Sequence, residues 1–318
     1  MAMYVEDWLA TYGSPYLVAP DDQALPEVEL MEDGDSFRVH QSEVQEGPHP
    51  ALAFVDGVRR GEAALYQVDA ASGQVTRGVA GSHACGAVIA DGERRPVFTE
   101  PEVQRLVIWG SGRVGELPSV RGGWNWTCRS IADDAPEAPL MALQERMRRS
   151  EGGLAARLSG QGLLVVVDGT LTYTRGVEEP ILGYVKTHSK MLLPPQHHRR
   201  VPELEPGDRS SIFRLGRERY SCYLRLAVTG GITGPWAGIV RLEVPQSAGL
   251  AAAVEVVDRV AGILPRYASV SWRDPRAPQN LQPVGALEER LRHFLGDQRL
   301  AQRAVREAVY KVAAEVQQ

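Results

Sequence analysis

The sequence has few cysteines, no long apolar run and no large excess of charge of either sign. Its three cysteines, Cys85, Cys128 and Cys222, are odd in number and lie 43 and 94 residues apart, which fits neither a disulfide framework nor a zinc knuckle. They read as reduced packing residues. No apolar run approaches the ~20 residues that a membrane helix needs. The longest, such as 163–167 and 248–254, are far shorter. The opening Met-Ala-Met-Tyr-Val-Glu-Asp-Trp has neither a basic start nor an apolar stretch leading to small residues, so no secretory signal is legible and a cytoplasmic location is expected. A formal charge of −5 argues against non-specific coating of nucleic acid, so any such contact must be local. There is no fixed-period repeat, no low-complexity tract and no P-loop lysine pattern, so the chain is not expected to hydrolyse ATP itself.

What is present is a chain of 318 residues, 43% hydrophobic, which is enough for a sizeable core. Its 32 glycines and 21 prolines are scattered, which predicts many turns and a sheet with many connections. Residues 4–12 read as a short helix, and residues 18–50 as a polar, acidic excursion. Residues 1–50 are therefore expected to form an N-terminal helix and extension, with the main domain at 51–318. Strands are expected at 51–55, 63–68, 86–90, 94–98 and 104–109, each bounded by Gly, Asp or Pro. A helix follows from Pro136, on the spacing of Leu140, Leu143, Met147, Leu154 and Leu158. Further strands are expected at 163–167, 181–187, 211–215, 220–228 and 236–244. Helices close the chain near 248–263, 284–295 and 298–315, the last two joined at Gly296-Asp297.

The helix around residue 150 carries the first chemical signal. Met147 and Leu154 are seven apart, and Glu151 bridges them on the same inward stripe. A buried carboxylate needs a cation or a salt-bridge partner, and an arginine at the helix edge would serve as well as a metal. Asp56 ends the run Ala-Leu-Ala-Phe-Val and Asp168 ends Leu-Leu-Val-Val-Val, each followed by glycine. Either Asp-Gly pair alone is ordinary turn chemistry. Together, two strand-end aspartates and an inward glutamate on the intervening helix form the all-oxygen set that suits Mg²⁺ or Mn²⁺, with no Cys or His involved. Two such ions about 3.5–4 Å apart support phosphodiester hydrolysis.

At these residues the sequence resembles the NurA nucleases, an RNase H-like family. The resemblance rests on Phe-Val-Asp-Gly at 54–57, Glu151, Val-Asp-Gly-Thr-Leu at 167–171, Leu-Gly-Tyr-Val-Lys-Thr at 182–187 and Arg-Leu-Glu-Val-Pro at 241–245. Asp-Pro-Arg-Ala-Pro-Gln-Asn-Leu at 274–281 and Leu-Glu-Glu-Arg-Leu-Arg at 287–292 look like the bacterial branch.

The resemblance implies an α/β fold with an RNase H-like mixed sheet flanked by helices, additional strands and C-terminal helices. It implies a divalent-metal-dependent DNA exonuclease, with single-strand endonuclease activity as a further option, acting in end resection and double-strand break repair. It also implies two Mn²⁺ (or Mg²⁺) ions and a homodimer docked to a HerA-like hexameric ATPase. Asp56, Glu151 and Asp168 take the metal-ligand positions. The family often has Ser after the first Asp-Gly, whereas Val58 stands here, and many relatives supply a fourth ligand from a His before the last helices. No histidine lies between His198 and His293. Asp274, seven residues after Tyr267, is the replacement expected, the alternative being a plain Asp-Pro turn. Lys186 and Tyr267 are expected to position phosphate. The missing histidine and Val58 sustain a rival reading, a weakly active or inactive DNA clamp or scaffold subunit of the ATPase complex.

Two basic stretches, Gln-His-His-Arg-Arg at 196–200 and Arg146, Arg148 and Arg149, either line a DNA path or are solvated surface. Gly-Ser-Gly-Arg-Val-Gly at 110–115 matches a dinucleotide-binding glycine pattern. Pro118 and Gly122-Gly123 stand where the phosphate-binding helix would have to run, so that reading is rejected.

Overall fold

A computed structural model describes residues 2–5, 27–34, 36–173, 181–188, 191–228 and 234–316. The strands are β1 (Ala2–Val5), β2 (Val28–Leu30), β3 (Val39–His40), β4 (Leu52–Val68), β5 (Val75–Ala90), β6 (Val97–Phe98) and β7 (Glu102–Trp109). Then come β8 (Thr127–Ser130), β9 (Leu164–Asp168), β10 (Ile181–Val185), β11 (Arg209–Ser210), β12 (Phe213–Leu215), β13 (Arg219–Arg225) and β14 (Ile239–Pro245). The helices are α1 (Ala138–Ser159), α2 (Pro195–His198), α3 (Leu250–Ala261), α4 (Gln282–Phe294) and α5 (Gln298–Val316).

One mixed sheet organises these elements. Its central order is β7-β5-β4-β9-β10: β4, β5 and β7 form an antiparallel meander, and β9 and β10 run parallel to β4. The crossover helix α1 precedes β9. This is the RNase H-like order, and β14, β13, β12 and β2 extend it beyond β10. Parallel neighbours need such a crossover because a tight turn can join only antiparallel strands.

The strands expected at 51–55 and 63–68 are one strand of 17 residues, and β5, at 16 residues, accompanies it throughout. Asp56-Gly57 is therefore not a turn: Asp56 pairs with Gly86, and Gly57 with Cys85. A one-residue bulge between Gly61 and Ala63 interrupts the register. Its extra residue, Glu62, is fully buried and accepts hydrogen bonds from Ser82 Oγ (2.6 Å) and Arg60 Nη2 (3.1 Å). At the N-terminus, Tyr4 and Val5 lie in β1, paired with β4, in place of the helix expected from residue 4; residues 6–12 of that expected helix lie outside the described residues.

The two faces of the sheet are covered differently. Helix α1 begins with Pro139 in its first turn, as suits a residue without an N–H. It buries Leu154, Ala155 and Leu158 against Ala53, Val55, Val165 and Val167. On the opposite face α3 packs on Leu52, Phe54 and Val166, and Leu287, Leu291 and Leu295 pack on Val58, Ala84 and Val88. Helix α5 covers Ala63 and Leu65 with Ala304, Val305 and Ala308. Arg60 fastens the joint between α4 and α5 by donating to the carbonyls of Leu295 (3.0 Å) and Gly296 (2.7 Å). No helix among the described residues is long and apolar enough to cross a membrane. Burial pushes the Cys85 and Cys222 thiols up to about 12, which fits packing residues.

Candidate metal centre

The parallel pairing of β4 with β9 runs from Leu52 opposite Leu164 to Val55 opposite Val167. The next residues on the two strands are Asp56 and Asp168. The pair thus sits where the parallel neighbours separate, the carboxyl-end crevice in which open α/β sheets place their ligands. Strand alternation puts Asp56 on the face of Leu52, Phe54 and Val58, towards the C-terminal helices. From that side Glu288 of α4 approaches. Asp56, Asp168 and Glu288 each offer a carboxylate oxygen within 4.8 Å of the others, with Asp56 and Glu288 buried.

Glu151 stands on the other, α1 side of β4. It is buried on α1, and its Oε1 lies against Gly57, where a Cβ would stand 2.5 Å from that oxygen. A side chain at position 57 would close the approach. Oε2 accepts from Arg148 Nη1 (3.0 Å), which also donates to the carbonyl of Asp168 (2.7 Å). By hydrogen-bond geometry Oε1 is buried without a partner among the described residues, although the Gly57 amide lies near enough to help hold the carboxylate's pKa down. An orphaned carboxylate oxygen is costly to bury, and a cation is what would relieve it.

The electrostatics reflect this crowding. Burial holds the Asp56 carboxyl well above the usual carboxylate range, and the charges of Asp168 and Glu151 push it further, against the pull of Lys186. Burial likewise raises Glu151 to about 7; Arg148 opposes the rise and Asp168 adds to it. Like charges forced together raise one another's affinity for protons, or for a metal in their place.

Around the carboxylates stands a set of oriented partners. Lys186, immediately after β10, donates to Asp168 Oδ2 (2.7 Å) and to Asn280 Oδ1 (2.7 Å). The fully buried Asn280 donates through its amide nitrogen to Asp274. Arg276 grips both oxygens of Glu288 (2.9 and 3.0 Å) and also contacts Asp274; Arg292 adds a further bond to Glu288 (2.9 Å). Hydrogen bonds from Asn280 and Arg276 hold the Asp274 carboxyl below its usual range, against the opposing effect of burial.

The structure thus brings together Asp56, Asp168 and Lys186, while Glu151 is joined to Asp168 through Arg148 from the α1 side and is not in the group of Asp56, Asp168 and Glu288. Asp274 is linked to Asp168 through Asn280 and Lys186 and is likewise outside that group. Tyr267 packs its ring edge-on against Phe54 (5.0 Å between centroids), and its hydroxyl is engaged with His49 Nε2 (2.8 Å), not with a carboxylate. Val58 fills the apolar contact with α4.

Sequence reasoning misses Glu288, Asn280 and Arg276. Asn280 and Arg276 lie within the 274–281 block that contributes to the family resemblance. Glu288 has a findable signal, since Val284 and Leu291 are seven apart and Glu288 bridges them on the buried stripe, as Glu151 bridges Met147 and Leu154. In the 196–200 stretch, His198 stacks on Trp236 (4.5 Å) and His197 on Phe37 (6.0 Å), with the Arg200 guanidinium also over Phe37. After Trp109, Ser111 and Gly112 adopt positive φ in a tight turn, with no phosphate-binding helix following.

No protein-family model and no curated protein sequence matches the chain. Among solved structures it is similar to the NurA nuclease from Sulfolobus solfataricus, at 11% identity over 87% of this chain and 86% of that one, with a TM-score of 0.45. It is also similar to a structure of NurA with manganese, at 14% identity over 42% of this chain and 22% of that one, with a TM-score of 0.18. Both are distant likenesses.

Proposed function

We propose that the chain is a divalent-metal-dependent deoxyribonuclease whose centre is held by Asp56, Asp168 and Glu288 from one side and Glu151 from the other. The observation that carries this is the convergence of three carboxylates within 4.8 Å at the strand-end crevice. The donors are all oxygen, which fits Mn²⁺ or Mg²⁺ and not a thiolate- or imidazole-seeking ion. The orphaned Oε1 of Glu151 is a further oxygen ready for a cation. When bound, a pair of such ions would supply a water nucleophile at neutral pH and neutralise charge on the scissile phosphate.

The chain's own residues perform the rest. Lys186 sets a fixed positive charge beside Asp168, where it can meet a phosphate oxygen. Arg148 fixes the Glu151 carboxylate, Arg276 fixes Glu288, and Asn280 holds Lys186 in line. Asp274, expected from sequence to be the fourth ligand, acts in this reading as a positioning residue for Asn280 and Arg276, and Tyr267 as a packing partner of Phe54. The motif resemblance supports DNA as substrate, exonucleolytic cleavage with single-strand endonuclease activity, and a cytoplasmic role in end resection and double-strand break repair. It likewise supports a homodimer working with a HerA-like hexameric ATPase.

The test is cleavage of linear DNA by the purified protein in Mn²⁺, with and without EDTA, and with Asp168→Asn as control. Metal-dependent cleavage lost in Asp168→Asn is the expected result; no cleavage under any divalent metal would overturn it. One observation favours a second reading. Arg148 and Lys186 already pair with Glu151 and Asp168, as they would in a DNA clamp or scaffold subunit of the ATPase complex whose nuclease centre is weak. Such a protein would bind DNA in the same assay without cutting it.

A further inference from the structure

The loop that supplies Asn280 to the centre also carries the most exposed of the large apolar side chains among the described residues. Trp272 is 81% exposed, and Val270 beside it is 39% exposed. A single exposed apolar side chain is ordinary on a protein surface; what sets this one apart is its place on the loop that reaches the centre.

The loop is closed at its base and fixed to the site. Ala268 bridges to Leu281, the Ser269 amide donates to the Asn280 carbonyl (2.8 Å), and Gln282 Nε2 donates to the Ala268 carbonyl (3.0 Å). At its tip the amides of Arg273 and Asp274 both donate to the Val270 carbonyl (2.9 and 3.0 Å), a turn that presents Trp272 outward. Two residues on, the Asp274 carboxylate joins the relay through Asn280 and Lys186 to Asp168. The Arg273 guanidinium lies 5.5 Å from the Trp272 ring centroid and reaches Gln282 at the start of α4.

We propose that Trp272 is a stacking platform for a nucleobase of single-stranded DNA, seated next to the nucleotide whose phosphate meets the carboxylate centre. This rests on the nuclease reading for the identity of its neighbour. Three features fit a base. The ring is flat, exposed and held on a braced turn, so little ordering cost accompanies stacking. A guanidinium sits beside it, where it completes a cation–π contact and attracts the backbone phosphates. The same loop carries Asn280, which orients Lys186, and Arg276, which orients Glu288, so a base stacked on the indole puts its strand in register with the centre. Because every base has a π face, the contact favours single strands and frayed ends without selecting sequence.

The experiment measures binding of a fluorescein-labelled oligothymidylate by anisotropy in Ca²⁺, and hydrolysis of thymidine 5′-(p-nitrophenyl phosphate) in Mn²⁺, for wild type, Trp272→Ala and Trp272→Phe. Loss of one stacked base weakens binding about 5- to 150-fold. The expected result is a loss in that range for Trp272→Ala, most of it restored in Trp272→Phe, with small-ester hydrolysis unchanged. Equal binding by wild type and Trp272→Ala overturns the inference, and Mn²⁺-dependent cleavage by both would leave the nuclease reading standing. Failure of wild type to cleave DNA or ester, with binding still sensitive to Trp272→Ala, sinks the nuclease reading and keeps the platform. A change in oligomeric state in Trp272→Ala with unaltered binding per chain assigns Trp272 to a protein contact and overturns the inference.

Discussion

Replacing Glu151 by glutamine removes a negative charge from the crowded centre while preserving the side chain's size and its ability to accept from Arg148. In the folded protein the Glu151 carboxyl is raised from 4.5 to about 7. Between those values it holds its proton more firmly folded than unfolded, so its ionisation subtracts from stability as pH rises from 4.5 to about 7. At about 1.4 kcal/mol for each tenfold change in proton affinity, the full loss is on the order of 3 kcal/mol above neutral pH. Glu151→Gln escapes it. In EDTA, wild type and Glu151→Gln should unfold at similar temperatures near pH 5. At pH 8 the variant should be higher by about 6 °C, taking about 2 °C per kcal/mol for a chain of this size. Mn²⁺ should then narrow the gap: at a hundred times its dissociation constant a ligand stabilises by about 2.7 kcal/mol, and the variant has lost one of the oxygens that would hold it. DNA cleavage by the variant should fall by at least about 10²-fold. Differential scanning fluorimetry across pH 5–8, with and without Mn²⁺, reads the stability side. A gap that does not widen with pH, or a variant less stable at every pH, would show that Glu151 is simply the structural partner of Arg148.

Cleavage should vanish on chelation and return with Mn²⁺ or Mg²⁺ but not with Zn²⁺; activity that survives EDTA undiminished removes the metal centre. Glu288→Gln should lower cleavage by about 10²-fold, with partial recovery at high Mn²⁺ because weakened binding yields to mass action. Asp274→Ala should cost only about tenfold and show no such recovery, since Asp274 acts through Asn280 and Arg276; the opposite pattern, with Asp274→His rescuing, would restore Asp274 as the ligand. Gly57→Ala places a methyl 2.5 Å from Glu151 Oε1 and 2.9 Å from Met147 Cγ. It should destabilise by about 1–3 kcal/mol and displace Glu151, so full activity with an unchanged melting temperature would contradict the assigned packing.

Much of this centre is legible in the sequence, because its signals are local. Glu151 interrupts an apolar helical stripe, and Asp56 and Asp168 follow the two most apolar strand runs, so periodicity alone puts them indoors. Reading Asp56-Gly57 as a strand end is half right in physical terms. The strand continues to Val68, but its parallel neighbour stops pairing at Val55, and that departure opens the crevice. Glycine at 57 serves Glu151 across the sheet, not a turn, and nothing in the neighbouring sequence distinguishes the two uses. Glu288 is hidden by its context. Leu-Glu-Glu-Arg-Leu-Arg looks like a solvated helix face when Leu287, Leu291 and Leu295 are taken as the stripe, yet Val284 and Leu291 share a buried row with Glu288 as well. The relay from Asp168 through Lys186 and Asn280 to Asp274 spans more than a hundred residues of chain. It depends on how the loop before α4 folds back on the sheet, which no local pattern encodes.

The bulge at Glu62 sets the parity of the sheet. Before it, the even-numbered residues Leu52, Phe54, Asp56 and Val58 face the C-terminal helices; after it, the odd-numbered Ala63 and Leu65 do. One inserted residue thus flips the phase of an alternating code, so that a single strand keeps both its metal-binding half and its helix-covered half on the same side. Deleting Glu62 together with the bulge would move Ala63 and Leu65 onto the even phase and leave both halves on one side, whereas pairing Glu62 as a regular residue of the pleat would put the two halves out of phase. In that pairing either α5 loses the apolar surface it covers or Asp56 turns away from Glu288, and the chain could not keep both.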